Sequence, residues 1–360
     1  MHLHKYFSRL LLSVAIIGSL SACSTNNSAG SGSYTEFTDT IHATGGFCLI
    51  ANSHGEQLLE VYNPWQGSTA DTSRVVIPAD GFKRLVCMST THLAMLEKVH
   101  ALDRVVGVSG MEYITIPEIL ERKNEIADVG YDGAIDYEKL LAQKPDLVLL
   151  YGVSGPSGME QKLKELGINY VYIADYLAAD PIERAEWLVA LAAIAGVSED
   201  TYDKTFAAIV QRYNDICAEV QKNVTEDERP SVMLNAPYSS TWYMPSASSY
   251  LVRLLEDSGA NYIYKDQAPE GNASTTIDIE QASLLVNHAD FWLFPGQATD
   301  LKQLQQLAPK VKFGGEVWNV TPDYWAGGSV NPDVVLTDLV GIFHPNLQSG
   351  RTPQYFYRLK

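Results

Sequence analysis

Cysteine is scarce in this chain: there are 4 in 360 residues, and no two are spaced as a CxxC pair. The fold therefore does not lean on a cross-linked framework, and no cysteine knuckle of zinc-site spacing is present. Beyond Cys23, the others lie among apolar neighbours, as in Phe47-Cys48-Leu49-Ile50 and Leu85-Val86-Cys87-Met88. They read as buried thiols rather than as a disulfide between Cys48 and Cys87. Positive charge is also short, with 26 Lys and Arg against 43 Asp and Glu, a formal net charge of −17. A nucleic-acid partner needs a basic footprint, so that class is excluded. An anionic ligand held by net charge alone is disfavoured.

Catalytic signatures are missing too. There is no GxGxxG, no P-loop and no HExxH. Gly152-Val153-Ser154-Gly155-Pro156 departs from the GxSxG elbow at its last position. The histidines at 42, 54, 92, 100, 288 and 344 form no short-spaced pair. His92, beside Leu93 and Met95, reads as a hydrogen-bonded core residue. A zinc or manganese site could be assembled only by bringing distant residues together.

What is present begins at the N-terminus. His2, His4, Lys5 and Arg9 precede an apolar run over residues 10–20, too short to span a bilayer but suited to a signal-peptide core. It ends in Leu20-Ser21-Ala22-Cys23, a bacterial lipobox. Cleavage before Cys23 would leave 338 of the 360 residues, with the lipid on Cys23. Losing Lys5 and Arg9 takes the charge from −17 to −19. Each buried CH₂ of an acyl chain contributes about 0.8 kcal/mol to anchoring. Residues 23–34 are polar and small, a flexible tether reaching on the order of 20 Å. No later stretch is apolar enough to cross a membrane.

Residues 35–81 alternate short β-like runs with turn formers, a small β-rich extension. From residue 82 the pattern becomes strand then helix, repeatedly, with strands at 84–88, 105–108, 147–150 and 170–173. Such alternation predicts βαβ units and a parallel sheet. Two helices at 181–195 and 202–224 then follow without a strand between them. Beyond Pro230 the alternation resumes, with strands at 232–235, 291–294 and 317–320. The reading is an N-terminal α/β lobe over 82–197, a connecting helix within 198–228 and a C-terminal α/β lobe over 229–360. A weak repeat supports two halves: residues 135–149 and 277–293 both open a helix with Ile-Asp-x-Glu and run on into an apolar strand.

Aromatic residues are abundant, with 20 Tyr and 6 Trp. Several fall where strands end, which is where open α/β sheets bind ligands. Tyr113, Tyr131 and Tyr151 do so in the first half. Tyr238, Trp242 and Tyr243 occupy a polar loop, and Tyr324 and Trp325 follow Thr321-Pro322-Asp323. These eight are the candidate ligand-binding residues, since large rings with polar edges suit a big, flat ligand.

Residues 84–110, 135–150 and 162–174, with 241–266, 277–294 and 331–345 in the second half, resemble the periplasmic solute-binding proteins of ABC importers for ferric siderophores, haem and cobalamin. The resemblance covers about residues 82–345. It implies two Rossmann-like lobes bridged by a long helix, with a ligand cleft that closes only slightly. It also implies no enzyme activity and no resident cofactor. The ligand is then a transported metal chelate, a ferric siderophore foremost, with cobalamin or haem as alternatives. The implied partners are an ABC permease and its ATPase, gripped by a glutamate on each lobe of a lipid-anchored monomer in the periplasm or cell envelope. The matching positions are Glu138 and Glu280. One departure stands out. Ala326-Gly327-Gly328 follows the C-lobe aromatic pair where relatives often carry a charge, so a cleft poor in arginine is expected. A zinc or manganese binding protein and a chelatase-like enzyme on the same scaffold remain the competing readings.

Mass spectrometry of the mature N-terminal peptide should find acyl chains on Cys23, and Cys23→Ala should leave the chain unlipidated. An unmodified Cys23 in the parent would remove the anchor.

Overall fold

The computed structural model describes residues 34–131, 133–153, 155–238, 241–269 and 274–360. The signal segment, Cys23 and the tether up to residue 33 lie outside the described residues. The chain first forms an antiparallel meander of β1 (Asp39–Ala43), β2 (Phe47–Ala51), β3 (Gln57–Tyr62) and β4 (Thr72–Ile77), in that order. Its inward side chains, Phe47, Leu49, Leu59, Val61, Val75 and Ile77, join the same buried cluster as the lobe that follows. The extension is therefore continuous with the N-lobe core rather than a separate unit.

Five parallel strands make the N-lobe sheet: β5 (Leu85–Cys87), β6 (Val105–Val108), β7 (Ala127–Asp128), β8 (Leu147–Leu150) and β9 (Tyr170–Tyr172). Their order is β7-β6-β5-β8-β9. Every residue of β5 and β8 is buried, as expected of strands covered on both faces. The edge at β9 is masked by the extension, where the Tyr172 amide donates to Ser73 Oγ of β4 at 3.2 Å. The extension enters the lobe through a tight crossing at Gly81 and Gly196. Both have positive φ, and a Cβ on Gly81 would lie 2.2 Å from the Gly196 nitrogen.

The C-lobe strands are β10 (Ser231–Leu234), β11 (Pro237–Tyr238), β12 (Thr241–Met244), β13 (Asn261–Tyr262), β14 (Thr275–Asp278), β15 (Phe291–Leu293), β16 (Glu316–Val320) and β17 (Phe356–Arg358). Five of them form a second sheet in the order β13-β10-β15-β16-β17, parallel except for β17. The other three make a small antiparallel sheet, β11-β12-β14.

Two helices join the lobes. Pro181–Ile194 starts at Asp180, whose carboxylate caps Ile182 and Glu183, with proline at the first helical position. Glu199–Asn223 follows, 25 residues and so about 37 Å long. Its buried stripe is Tyr202, Ile209, Tyr213 and Val220. The first two belong to the N-lobe core and the last two to the C-lobe core, while Phe206 packs against both.

One sequence expectation is overturned here. Residues 237–238 and 241–244 are paired antiparallel strands, not a polar loop, and Trp242 points into the C-lobe core. It is 0% exposed, donates its indole N–H to the Leu234 carbonyl at 2.8 Å and lies 5.5 Å from Trp292. The alternation in Thr241-Trp242-Tyr243-Met244 turns Trp242 and Met244 inward and Tyr243 outward. Trp242 is thus a packing residue, with no face for a ligand. Cys48 and Cys87 are buried free thiols, and Cys217 is a half-buried one. His92 is buried as expected, but neither ring nitrogen has a hydrogen-bond partner among the described residues.

Trp242→Ala should lower unfolding free energy by about 3–5 kcal/mol, the usual loss for a large buried aromatic, in urea titration. A loss below about 1 kcal/mol would contradict this placement.

Candidate functional site

Both lobe sheets reverse strand order beside their first strand, between β5 and β8 and between β10 and β15. The carboxyl ends at such a reversal are where open α/β sheets take ligands. On the N-lobe, Asp128 at the end of β7 organises this rim. Its carboxylate accepts the backbone N–H groups of Gly110, Met111 and Gly130 at 3.0–3.1 Å. Burial pushes its pKa up, but the three amide donors outweigh that and hold it below the ordinary carboxylate value. The two loops so tied carry Tyr113 and Tyr131. Gly110 lets them converge, since a Cβ there would sit 2.8 Å from the Tyr113 ring and 3.3 Å from that of Tyr131. Both rings are largely exposed, and the Tyr131 hydroxyl donates to Glu112 at 2.7 Å. Tyr151, half-buried, leaves β8 at the same end.

Between the lobes is a recess of about 90 Å³ lined by Pro181, Arg184, Tyr250, Tyr324, Trp325 and neighbours. Arg184, which sequence reasoning passed over, is its polar centre. Its side chain is 14% exposed, with Nε 3.2 Å from Asp175 Oδ2 and the guanidinium 4.6 Å from the Tyr250 ring centroid. Asp175 also accepts from the Thr91 hydroxyl at 3.3 Å. Burial alone would weaken the Arg184 charge, but the Asp175 carboxylate at 3.2 Å offsets that and the guanidinium stays charged. Tyr324 is wedged among Phe294, Tyr355 and Phe356, and burial pushes its hydroxyl far up, so it stays a neutral donor. Trp325, 63% exposed, stands across Tyr324 at 5.4 Å as an open apolar shelf. Arg184 is the one arginine among the residues that line this recess. The helix register brings Arg184 in from outside every strand-end loop that the sequence pointed to.

Of the eight candidate aromatics, Tyr324 and Trp325 line this recess, while Tyr113, Tyr131 and Tyr151 lie on the N-lobe rim. Tyr238 and Tyr243 are exposed on the outer face of the small sheet and do not line the recess, and Trp242 is core. A liquid water occupies about 30 Å³, so the recess takes one polar group of a ligand, not the whole. Among the described residues no three His, Cys, Asp or Glu side chains gather as a metal site.

Glu138 and Glu280 occupy matching places away from this recess. Each sits in the first turn of a helix capped by an aspartate, Asp136 and Asp278. Both are exposed. Glu138 has no ion-pair partner among the described residues, whereas Glu280 is 2.7 Å from Lys310 Nζ, whose ammonium lowers its pKa.

Residues 85–308, well over half of the chain, match the profile of the periplasmic binding protein family. The chain belongs to that family, whose members are solute-binding proteins rather than enzymes. It is 28% identical over 293 residues to an uncharacterized lipoprotein of Methanocaldococcus jannaschii, covering 76% of this chain and 68% of that one. Its fold is that of a periplasmic heme-binding protein of Pseudomonas aeruginosa, with a TM-score of 0.56, 18% identity, and 78% and 98% of the two chains covered. The vitamin B12 binding protein BtuF of Vibrio cholerae is similar at a TM-score of 0.52, 15% identity, and 74% and 98% coverage.

Arg184→Met should destabilise the protein by about 3–5 kcal/mol in urea unfolding, because it leaves Asp175 buried without its cation. Adding Asp175→Asn should recover part of that loss. An additive double mutant would mean that the two side chains do not act as a pair.

Proposed function

We propose that the chain captures a bulky metal chelate outside the cytoplasm, held to a membrane through Cys23, and delivers it to an ABC importer. The observation that carries this reading is the recess between the lobes. It sets a buried, permanently charged guanidinium beside a neutral tyrosine hydroxyl and an exposed indole. Such a socket suits the acidic edge of a large ligand, with Trp325 covering an apolar face. A ferric siderophore with carboxylate or catecholate donors meets that description. Haem, with its propionates, is the second reading for the same reason. Family membership and the folds of the heme and vitamin B12 binding proteins support the class. Tyr113, Tyr131 and Tyr151 would close over the ligand from the N-lobe.

Delivery would use Glu138 and Glu280 as the contacts with basic residues of the permease. The first is open to a partner, and the second must exchange Lys310 for it. Both stand apart from the recess, so docking and capture separate experimentally. Glu138→Ala/Glu280→Ala should abolish uptake into vesicles carrying the cognate importer while ferric-siderophore affinity stays unchanged in fluorescence titration. Trp325→Ala should do the reverse, weakening ligand binding by about 1–3 kcal/mol. Normal uptake by the double mutant would end the docking assignment, and unaltered affinity in Trp325→Ala would empty the recess of its role.

A further inference from the structure

The β-rich extension does more than mask the β9 edge. Together with the segment leaving β9 and one face of the Pro181–Ile194 helix, it encloses a second recess of about 360 Å³. Nine of the fifteen lining residues fall between 44 and 68, ahead of the family match at 85–308. This recess is thus built largely by the addition rather than by the shared scaffold. No residue lines both it and the interlobe recess.

Its chemistry differs as well. The lining holds no Lys, Arg or His, and Glu183 is its one carboxylate, so nothing there attracts an anion. Two tryptophans face it. Trp187 is 3% exposed, packed on Phe47 at 4.8 Å and against Gly46, where a Cβ would come within 3.1 Å of the ring. Trp65 stands edge-on to Tyr172 at 5.3 Å, and its backbone bridges to Gly152, next to Tyr151. Trp242, Trp292 and Trp318 give their indole N–H to Leu234, Asn235 and Glu316. Trp65 and Trp187 have no such acceptor among the described residues. The same holds for the side-chain amides of Asn63 and Gln66 on the recess wall. The Trp65 indole is half-buried and the Asn63 and Gln66 amides are exposed, so these donors and acceptors are open to a ligand entering the recess.

We propose that this recess binds a neutral, hydroxylated ring, with a pyranose as the fitting class. The half-buried Trp65 indole offers apolar area to the C–H face of such a ring, Trp187 forms the packed floor behind it, and the Asn63 and Gln66 amides match its hydroxyls. The volume lies at the low end of the roughly 300–1,000 Å³ usual for small-molecule pockets, enough for one sugar ring. The ring comes either from a free saccharide or from a glycosyl arm of a ligand held in the cleft.

The test uses the full mature chain, titrated with methyl glucoside, methyl galactoside and N-acetylglucosamine by tryptophan fluorescence and ligand-observed NMR. A second arm compares a ferric tris-catecholate with and without a glucosyl substituent. Saturable binding of a monosaccharide, weakened about tenfold by Trp65→Ala and by Gln66→Ala but untouched by Trp325→Ala, identifies a free-saccharide site. A gain in chelate affinity from the glucosyl group, lost in Trp65→Ala, identifies the arm instead. Trp65→Phe, which keeps a flat ring, should retain most of the binding in either arm, and circular dichroism checks that each variant is folded. No monosaccharide binding together with no effect of the glucosyl group overturns the proposal. So does binding that ignores both Trp65→Ala and Gln66→Ala. Because the monosaccharide arm uses no chelate, its outcome is independent of whether the cleft transports one.

Discussion

One stripe of side chains on the Glu199–Asn223 helix holds the molecule together. Tyr202 and Ile209 are committed to the N-lobe core, Tyr213 and Val220 to the C-lobe core, and Phe206 touches both. Rotating one lobe against the other would have to expose part of that stripe. At about 25 cal/mol per Å² of apolar surface, such exposure is unfavourable. Polar ties work in the same sense. Arg212 of this helix pairs at 2.6 Å with buried Asp333, and Lys98 of the N-lobe donates to Asn331 beside it. The lobes are splinted along one side, Ala326 and Val330 of the C-lobe pack into the N-lobe core, and the recess at Arg184 lies beside that contact.

From that splint follows the character of the site. The chain is strongly acidic overall, yet the recess between its lobes centres on a cation. Arg184 can lie there because Asp175 comes from the segment after β9 and Tyr250 from the opposite lobe. Neither lobe alone supplies both. The aromatic rim depends on a comparable device, an ionised Asp128 that ties the loops of Tyr113 and Tyr131 through three backbone donors. Charge in this protein is used locally to fix loops and orient rings, while net charge keeps the surface acidic.

The extension shows how an addition can be absorbed. Its inward residues share a buried cluster with the lobe, and its fourth strand supplies the acceptor that the β9 edge would otherwise lack. In doing so it leaves a cavity at the seam, lined by indoles whose donors the core does not use.

Periodicity made much of the architecture readable. The apolar runs of β5 and β8, the stripe of the long helix and the aspartate caps before Glu138 and Glu280 are local patterns, and local patterns suffice to specify strands, helices and their starts. The two-lobed α/β class followed from them. Tyr324 and Trp325 were legible because a strand ends just before them. Trp242 was misplaced because a four-residue strand is short enough to pass for a loop. Its inward turn is set by register with Ile277, 35 residues further on. Arg184 was not legible at all, since a single arginine in an apolar helix says nothing about what lies opposite it. By itself the sequence determined most of the longer strands and helices and the buried stripe of the long helix, because those choices depend on neighbours within a turn or two. Only the tertiary structure decided which faces meet, placing Arg184, Tyr250 and Tyr324 in one recess with Asp175 buried behind the arginine, because burial and charge pairing act between residues that the chain holds far apart.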